Sequence, residues 1–133
     1  MDEAYEQDEP YERGMRIRPE VLGDAHVDGA QAGAGEFGAD FQDFVTRYAW
    51  GGVWARPGLS RRDRSLLTLA LLVALGRFEE LPLHVRGALH NGLDTAQIRE
   101  VLLHTAVYAG VPAANSAFRV AAATLAETPS EPA

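Results

Sequence analysis

Leu66-Leu67-Thr68-Leu69-Ala70-Leu71-Leu72-Val73-Ala74-Leu75 carries a single polar side chain, Thr68, in a run of ten. Ten residues are too few to cross a bilayer, which takes about 20. An apolar surface running all around a helix implies instead a helix buried on every side. The segment therefore predicts a central helix that the rest of the chain has to cover. Its start is marked by Ser60 with Asp63 three residues on, a capping-box-like pair. The turn Trp54-Ala55-Arg56-Pro57-Gly58 comes just before.

Downstream, Pro82 opens or kinks a helix through Leu83, Val85, Ala88 and Leu89, and Asn91-Gly92 is a natural left-handed stop. Asp94 followed by Gln97 begins another, whose apolar set is Ile98, Val101, Leu102, Ala106 and Val107, closed by Gly110. Pro112 restarts the chain, and Ala113, Ala117, Val120, Ala121 and Leu125 form a last helix that dissolves into the tail, residues 128–133. Upstream, Phe41, Phe44, Val45 and Tyr48 recur at helical spacing, with Asp40 as cap and Gly51-Gly52 as stop. Four glycines between Gly29 and Gly38 read as a flexible connector, and Arg18-Pro19-Glu20-Val21-Leu22 as a short helix start. Residues 1–13 read as an acidic arm that frays. No run alternates as a strand does, so the domain, residues 14–127, is expected to be all-α with about six helices.

The chain has 133 residues, 47% hydrophobic and 23% charged, which predicts one compact domain. Cysteine is absent, excluding disulfides, thiolate metal sites and a cysteine nucleophile. The net charge of −7 sets 12 Arg, with no Lys, against 19 acids, but eight of those acids lie before Arg13 or after Leu125. The 11 that remain nearly balance the 12 Arg, so there is no basic stripe for a phosphate backbone, and a nucleic-acid partner is not expected. The first residues lack the basic and apolar regions of a leader, and no stretch reaches about 18 apolar residues, so a cytoplasmic protein without a membrane span is expected. A chain this small struggles to cover an all-apolar helix alone. Small residues dominate the last two helices as well, so a homo-oligomer is expected.

Ionisable groups crowd beside the apolar helix in Arg77-Phe78-Glu79-Glu80-Leu81-Pro82-Leu83-His84-Val85-Arg86. On a continuous helix Glu80 and His84 lie one turn apart on one face and can share a proton. With Pro82 as first helical residue, His84 falls in the first turn, where the helix dipole favours neutral imidazole. That imidazole can still donate a hydrogen bond to a developing oxyanion. A half-exposed His beside a surface Glu–Arg pair is the plainer alternative. His104 precedes Tyr108 by four residues, so both can point into a cleft shared with His84, or simply pack. Trp54 and Arg56 offer an aromatic wall and a carboxylate clamp, although a Trp filling the core reads equally well. Arg61 and Arg62 read as solvated, with Arg64 the one that can turn inward. Asn115 and Ser116 lie early in the last helix, beside an N-terminus able to hold an anion. The histidines, at 26, 84, 90 and 104, lack metal-ligand spacing, so no metal is expected. Gly33-Ala34-Gly35-Glu36-Phe37-Gly38 fits a dinucleotide fingerprint as a string, but no strand precedes it.

A longer ordered series goes further. It comprises Val21-Leu-Gly-Asp-Ala-His26-Val27, Phe41-Gln-Asp-Phe44, Trp50 through Trp54-Ala-Arg56-Pro-Gly-Leu59, Arg64-Ser-Leu-Leu-Thr-Leu69, Leu83-His84-Val-Arg86, and His104 through Tyr108 and Asn115 to Phe118. From Tyr11 to about Leu125 the chain resembles the carboxymuconolactone decarboxylase family, within the alkylhydroperoxidase-D-like (AhpD-like) superfamily. Peroxidase members of that superfamily carry a CxxC pair before a helix His. Here His84 matches the His, while Arg77 and Glu80 stand where the cysteines would be, which puts peroxidase chemistry out of reach.

The resemblance implies an AhpD-like helical bundle assembled as a ring, trimer or hexamer, with active sites near subunit contacts and no cofactor. The implied substrate is a small dicarboxylate lactone, a conjugated butenolide that loses CO2 from a ring carbon. The electron pair then runs through the C=C bond onto the lactone carbonyl, and protonation completes the reaction. On that chemistry His84 is the enolate hydrogen-bond or proton donor, Glu80 its partner or the acid, and Arg56 or Arg64 the carboxylate clamp. Trp54, His26, His104, Tyr108 and Asn115 are candidate lining residues. Phe78, His104 and Ala109 stand where the family usually holds Trp, Gln and Cys, and Pro82 is not typical. Two alternatives stand beside the decarboxylase: a relative using the site for other enol chemistry, and a non-catalytic ligand-binding scaffold.

Overall fold

The computed structural model describes residues 3–127, with side chains from residue 9 onward. It is all helical, with no strand among the described residues. The chain divides into two compact units, Met1–Ser60 and Arg61–Ala133.

The first unit comprises α1 (Glu3–Leu22), α2 (Asp24–Phe44) and a π-helical continuation, π1 (Val45–Trp54). Three sequence expectations are corrected here. Residues 3–13, expected to fray, are part of continuous α1. The glycine-rich stretch is helical too, and its freedom is used at one point, Gly35, which breaks the helical angles at φ 61°, ψ −168°. Asp40 lies inside α2 rather than capping a helix, and Gly51-Gly52 do not end one: π1 runs through both.

Gly51 has a different use. A Cβ there would overlap the carbonyl of Pro10 on α1, and a Cβ on Gly14 would overlap the carbonyl of Thr46 on π1. The two glycines bring the backbones of α1 and π1 together at two points along their crossing. The wide coil of π1 helps, because a π-helix closes i to i−5 hydrogen bonds, as Ala55 N does onto Trp50 O at 3.1 Å. Thr46, Trp50 and Gly51 are accordingly all buried. Polar contacts seal the crossing. Arg13 Nε donates to Gly51 O at 2.9 Å and Arg18 Nη1 to Thr46 Oγ1 at 3.3 Å, while the Arg47 guanidinium covers the Tyr11 ring at 5.2 Å.

The second unit comprises α3 (Arg61–Ala74), α4 (Leu81–His90), α5 (Thr95–Ala109) and α6 (Val111–Glu127). Its punctuation follows the sequence. Ser60 immediately precedes α3 and Pro82 sits in the first turn of α4. Asp94 and Gln97 form a reciprocal capping box, with bonds of 2.8 and 2.9 Å. Gly92 and Gly110 take positive φ after α4 and α5. The expected tail lies outside the described residues. Leu69, Val73, Leu81, Val85, Ala88, Leu93, Ile98, Leu102, Ala117 and Ala121 form one buried cluster.

Within a single chain α3 is buried on one side only. Leu69 and Val73 face the cluster, but Leu67, Leu71 and Leu75 are 51%, 58% and 68% exposed and form an i, i+4, i+8 ridge on the opposite face.

Candidate active site

α3 and α4 pack as an antiparallel hairpin, fixed by Asn91 Nδ2 donating to Ser65 Oγ at 2.8 Å. The start of α3 therefore lies beside the end of α4. His84, in the first turn of α4, lies roughly 10 Å along the helix axis from Asn91, seven residues at 1.5 Å each. Leu81, Val85 and Ala88 anchor α4 in the core, leaving His84 half-buried beside them.

The two sequence alternatives for Pro82 merge. Pro82 occupies the first turn, where its missing N–H costs nothing. The backbone still turns continuously from Glu80, whose carbonyl accepts from His84 N at 3.4 Å. Glu80 is thus one turn before His84, exposed, at the N-cap position and with helical φ/ψ of −85° and −15°. An imidazole at a helix N-terminus beside an exposed carboxylate can present a hydrogen bond to an oxyanion and exchange its proton with solvent through that carboxylate.

Arg64, in the first turn of α3, is half-buried with its Nε shut off from solvent, the inward turn expected of it. Arg61 and Arg62 are partly buried as well, not fully solvated. His104 and Tyr108 lie one turn apart on α5 with rings tilted to each other, centroids 5.0 Å apart, but Tyr108 is 81% exposed. Asn115 is exposed on the fifth residue of α6. On the first unit, Trp54 is half-buried and stacked on buried Trp50 at 4.8 Å, which favours the packing reading; Arg56 and His26 are exposed.

A groove of about 770 Å³ runs between α3 and α5, lined by Leu66, Leu67, Ala70, Val101, Leu103 and Val107, with Arg62 and His104 among its polar residues. It takes in His104 but neither His84 nor Tyr108, so it is not the common cleft that their spacing suggested. Sequence reading missed this groove because it assigned the whole of Leu66–Leu75 to the interior. It also missed Arg18, only 5% exposed, whose guanidinium pKa burial lowers while the nearby Tyr11 acts the other way. Its one sequence signal was a charge amid Ile17, Val21 and Leu22. Among the described residues no group of three or more His, Asp or Glu could hold a metal ion, and no helix is long and apolar enough to cross a membrane.

Comparison with known proteins places the chain. The model of the carboxymuconolactone decarboxylase family matches residues 39–123. The 4-carboxymuconolactone decarboxylase of Acinetobacter baylyi is 47% identical over 111 residues, covering 84% of this chain and 83% of that protein. The nitrosuccinic acid decarboxylase npaB of Metarhizium robertsii is 44% identical over 115 residues, 86% of this chain and 80% of that one. A 4-carboxymuconolactone decarboxylase of Pseudomonas putida matches at 46% over 41 residues, 31% of this chain and 85% of that sequence. A family model matching well over half of the residues and a relative 47% identical along most of both chains agree: the chain belongs to the carboxymuconolactone decarboxylase family.

Proposed function

We propose that the protein decarboxylates 4-carboxymuconolactone to 3-oxoadipate enol-lactone without a cofactor, in the cytoplasm, as a homo-oligomer. The 47% identity to the Acinetobacter baylyi decarboxylase along most of both chains carries the reading. The substrate is its own electron sink: CO2 leaves the ring carbon, the C–C electron pair moves through the conjugated bond to the lactone carbonyl, and the dienolate takes a proton alpha to that carbonyl. The protein has four tasks, namely to hold the carboxylate that stays, keep water from the one that leaves, stabilise the enolate oxygen and deliver the proton.

His84 donates to the enolate oxygen or delivers the proton, and Glu80 is its partner or the acid. Arg64 is the better of the two clamp candidates, because a half-buried guanidinium is less screened than exposed Arg56. His104, Tyr108, Asn115, Trp54 and His26 remain lining candidates, each within its own unit.

The 44% identity to nitrosuccinic acid decarboxylase supports a second reading, an α-nitro acid as substrate. The chemistry is parallel: the electron pair left by CO2 moves onto the nitro oxygens as a nitronate, another oxyanion that one imidazole can stabilise. Incubating the pure protein separately with 4-carboxymuconolactone and with nitrosuccinate, and measuring CO2 release, tests both. Turnover of the lactone is expected. Release from nitrosuccinate alone replaces the first reading with the second, and release from neither removes both.

A further inference from the structure

Asn91-Gly92 is the one Asn-Gly pair in the chain, and the only other asparagine, Asn115, precedes Ser116. In an open chain, asparagine before glycine is prone to attack on its own side chain. Glycine has no Cβ to crowd its nitrogen and restricts the backbone least, so that nitrogen reaches the side-chain amide carbon most readily. The nitrogen gives up its proton and bonds to Asn91 Cγ, the Cγ–Nδ2 bond breaks, and ammonia leaves. Water then opens the succinimide ring at either carbonyl, leaving aspartate or isoaspartate at position 91.

The fold opposes each part of that step. Gly92 N–H donates to Leu89 O at 3.1 Å and Leu93 N–H to Ala88 O at 3.0 Å, the two bonds of a Schellman motif with Gly92 at φ 97°. Leu93 is itself buried in the apolar cluster, which pins the motif from the far side. Asn91 is held at ψ 7°, so Gly92 N eclipses the backbone nitrogen of Asn91 rather than its Cβ, and the five-membered ring cannot close. The leaving group is held as well. Asn91 Nδ2 donates to buried Ser65 Oγ at 2.8 Å and lies 3.5 Å from Arg61 O.

We infer that Asn91 is a site of spontaneous deamidation latched shut by Ser65 and the end of α4, and that it reacts only when the α3–α4 hairpin opens there. Gly92 is exposed, at a helix end, so a local opening suffices. The latch does not re-form after the reaction. Aspartate at this position sets a carboxylate oxygen where Nδ2 faced the Arg61 carbonyl, acceptor against acceptor, and adds negative charge at the negative end of α4. Isoaspartate also lengthens the main chain by one carbon between α4 and the Leu93 anchor. Conversion is therefore a one-way loosening of the hairpin. Nothing in it depends on the proposed reaction, and its test involves no turnover.

The full chain is incubated in mildly alkaline buffer, once folded and once in concentrated urea, and peptide mass spectrometry follows conversion at Asn91 and Asn115. In urea Asn91 is expected to convert ahead of Asn115. In the folded chain it is expected to convert at least ~10-fold more slowly than in urea. Ser65→Ala removes the side-chain hold; it should raise folded-state conversion and hydrogen exchange at Gly92 N–H by the same factor, with the rate in urea unchanged. Equal rates for folded and urea-treated wild type overturn the inference, and this comparison stands even if Ser65→Ala does not fold. So does an Asn91 that stays intact in urea, or a folded Ser65→Ala that converts no faster than wild type. Asn91→Asp reproduces one product and should melt roughly 4 °C lower. An unchanged melting temperature refutes the one-way loosening.

Discussion

α1 and π1 of the first unit meet backbone to backbone at two glycines, with Arg18 and Thr46 buried at the crossing; α3 to α6 of the second unit meet through ten buried apolar residues. The difference is one of what can give way. An apolar cluster loses the transfer energy of a deleted side chain and relaxes around the gap, whereas backbone at contact distance has no rotamer to move. A helix pair built on glycine contacts is therefore sensitive to small additions, and one built on leucines to deletions.

Substitutions in each unit can break or sharpen that contrast. Leu69→Ala removes a fully buried side chain from the apolar cluster and is expected to cost roughly 3–5 kcal/mol in denaturant unfolding. Gly51→Ala adds one carbon where the Pro10 carbonyl already lies and should cost about 3 kcal/mol. A neutral Gly51→Ala would show that the crossing is loose and would end the contrast.

His84→Ala separates chemistry from packing, because His84 is half-buried beside the cluster rather than in it. It should lower kcat on the lactone by at least ~10²-fold with little change in unfolding midpoint. Full activity would remove His84 from the mechanism.

Asp94→Ala breaks the capping box of α5 and should cost about 1 kcal/mol by thermal unfolding. The smallest effect is expected for Arg18→Met. This guanidinium is buried, with one 3.3 Å bond to a hydroxyl and no carboxylate partner among the described residues. An apolar side chain of similar volume should change stability by less than ~1 kcal/mol, or raise it. Its depressed pKa has the same sign: burial disfavours the charged form, so Arg18 contributes a cost while it is charged that is relieved only as pH rises through the folded pKa. A loss of several kcal/mol in Arg18→Met would show that this charge holds the first unit together.

The helices of the second unit were legible because their limits are chemical and local. Pro82, Asp94 with Gln97, Gly92 and Gly110 each act within one turn of their own position, and all stand where the sequence put them. The first unit was misread because its glycines act at a distance. Gly51 reads locally as a helix stop, yet its use is to admit Pro10 from 41 positions earlier in the chain. The same limit applied to the site. The one-turn spacing of Glu80 and His84 could be read directly, but nothing in the spacing of His104 showed that it faces a groove without His84.

By itself the sequence determined an all-helical chain, most helix limits in its second half, and, through its resemblance, the family. Tertiary structure decided that, within one chain, the leucine-rich helix is covered on one face only, that the glycine-rich stretch is helix, and that Phe37, Phe41, Phe44 and Tyr48 are exposed while Trp50 is buried. The reason is that caps, stops and periodicity are set by neighbours within a few residues, while burial depends on which distant surfaces arrive opposite, and periodicity marks a face without saying what covers it.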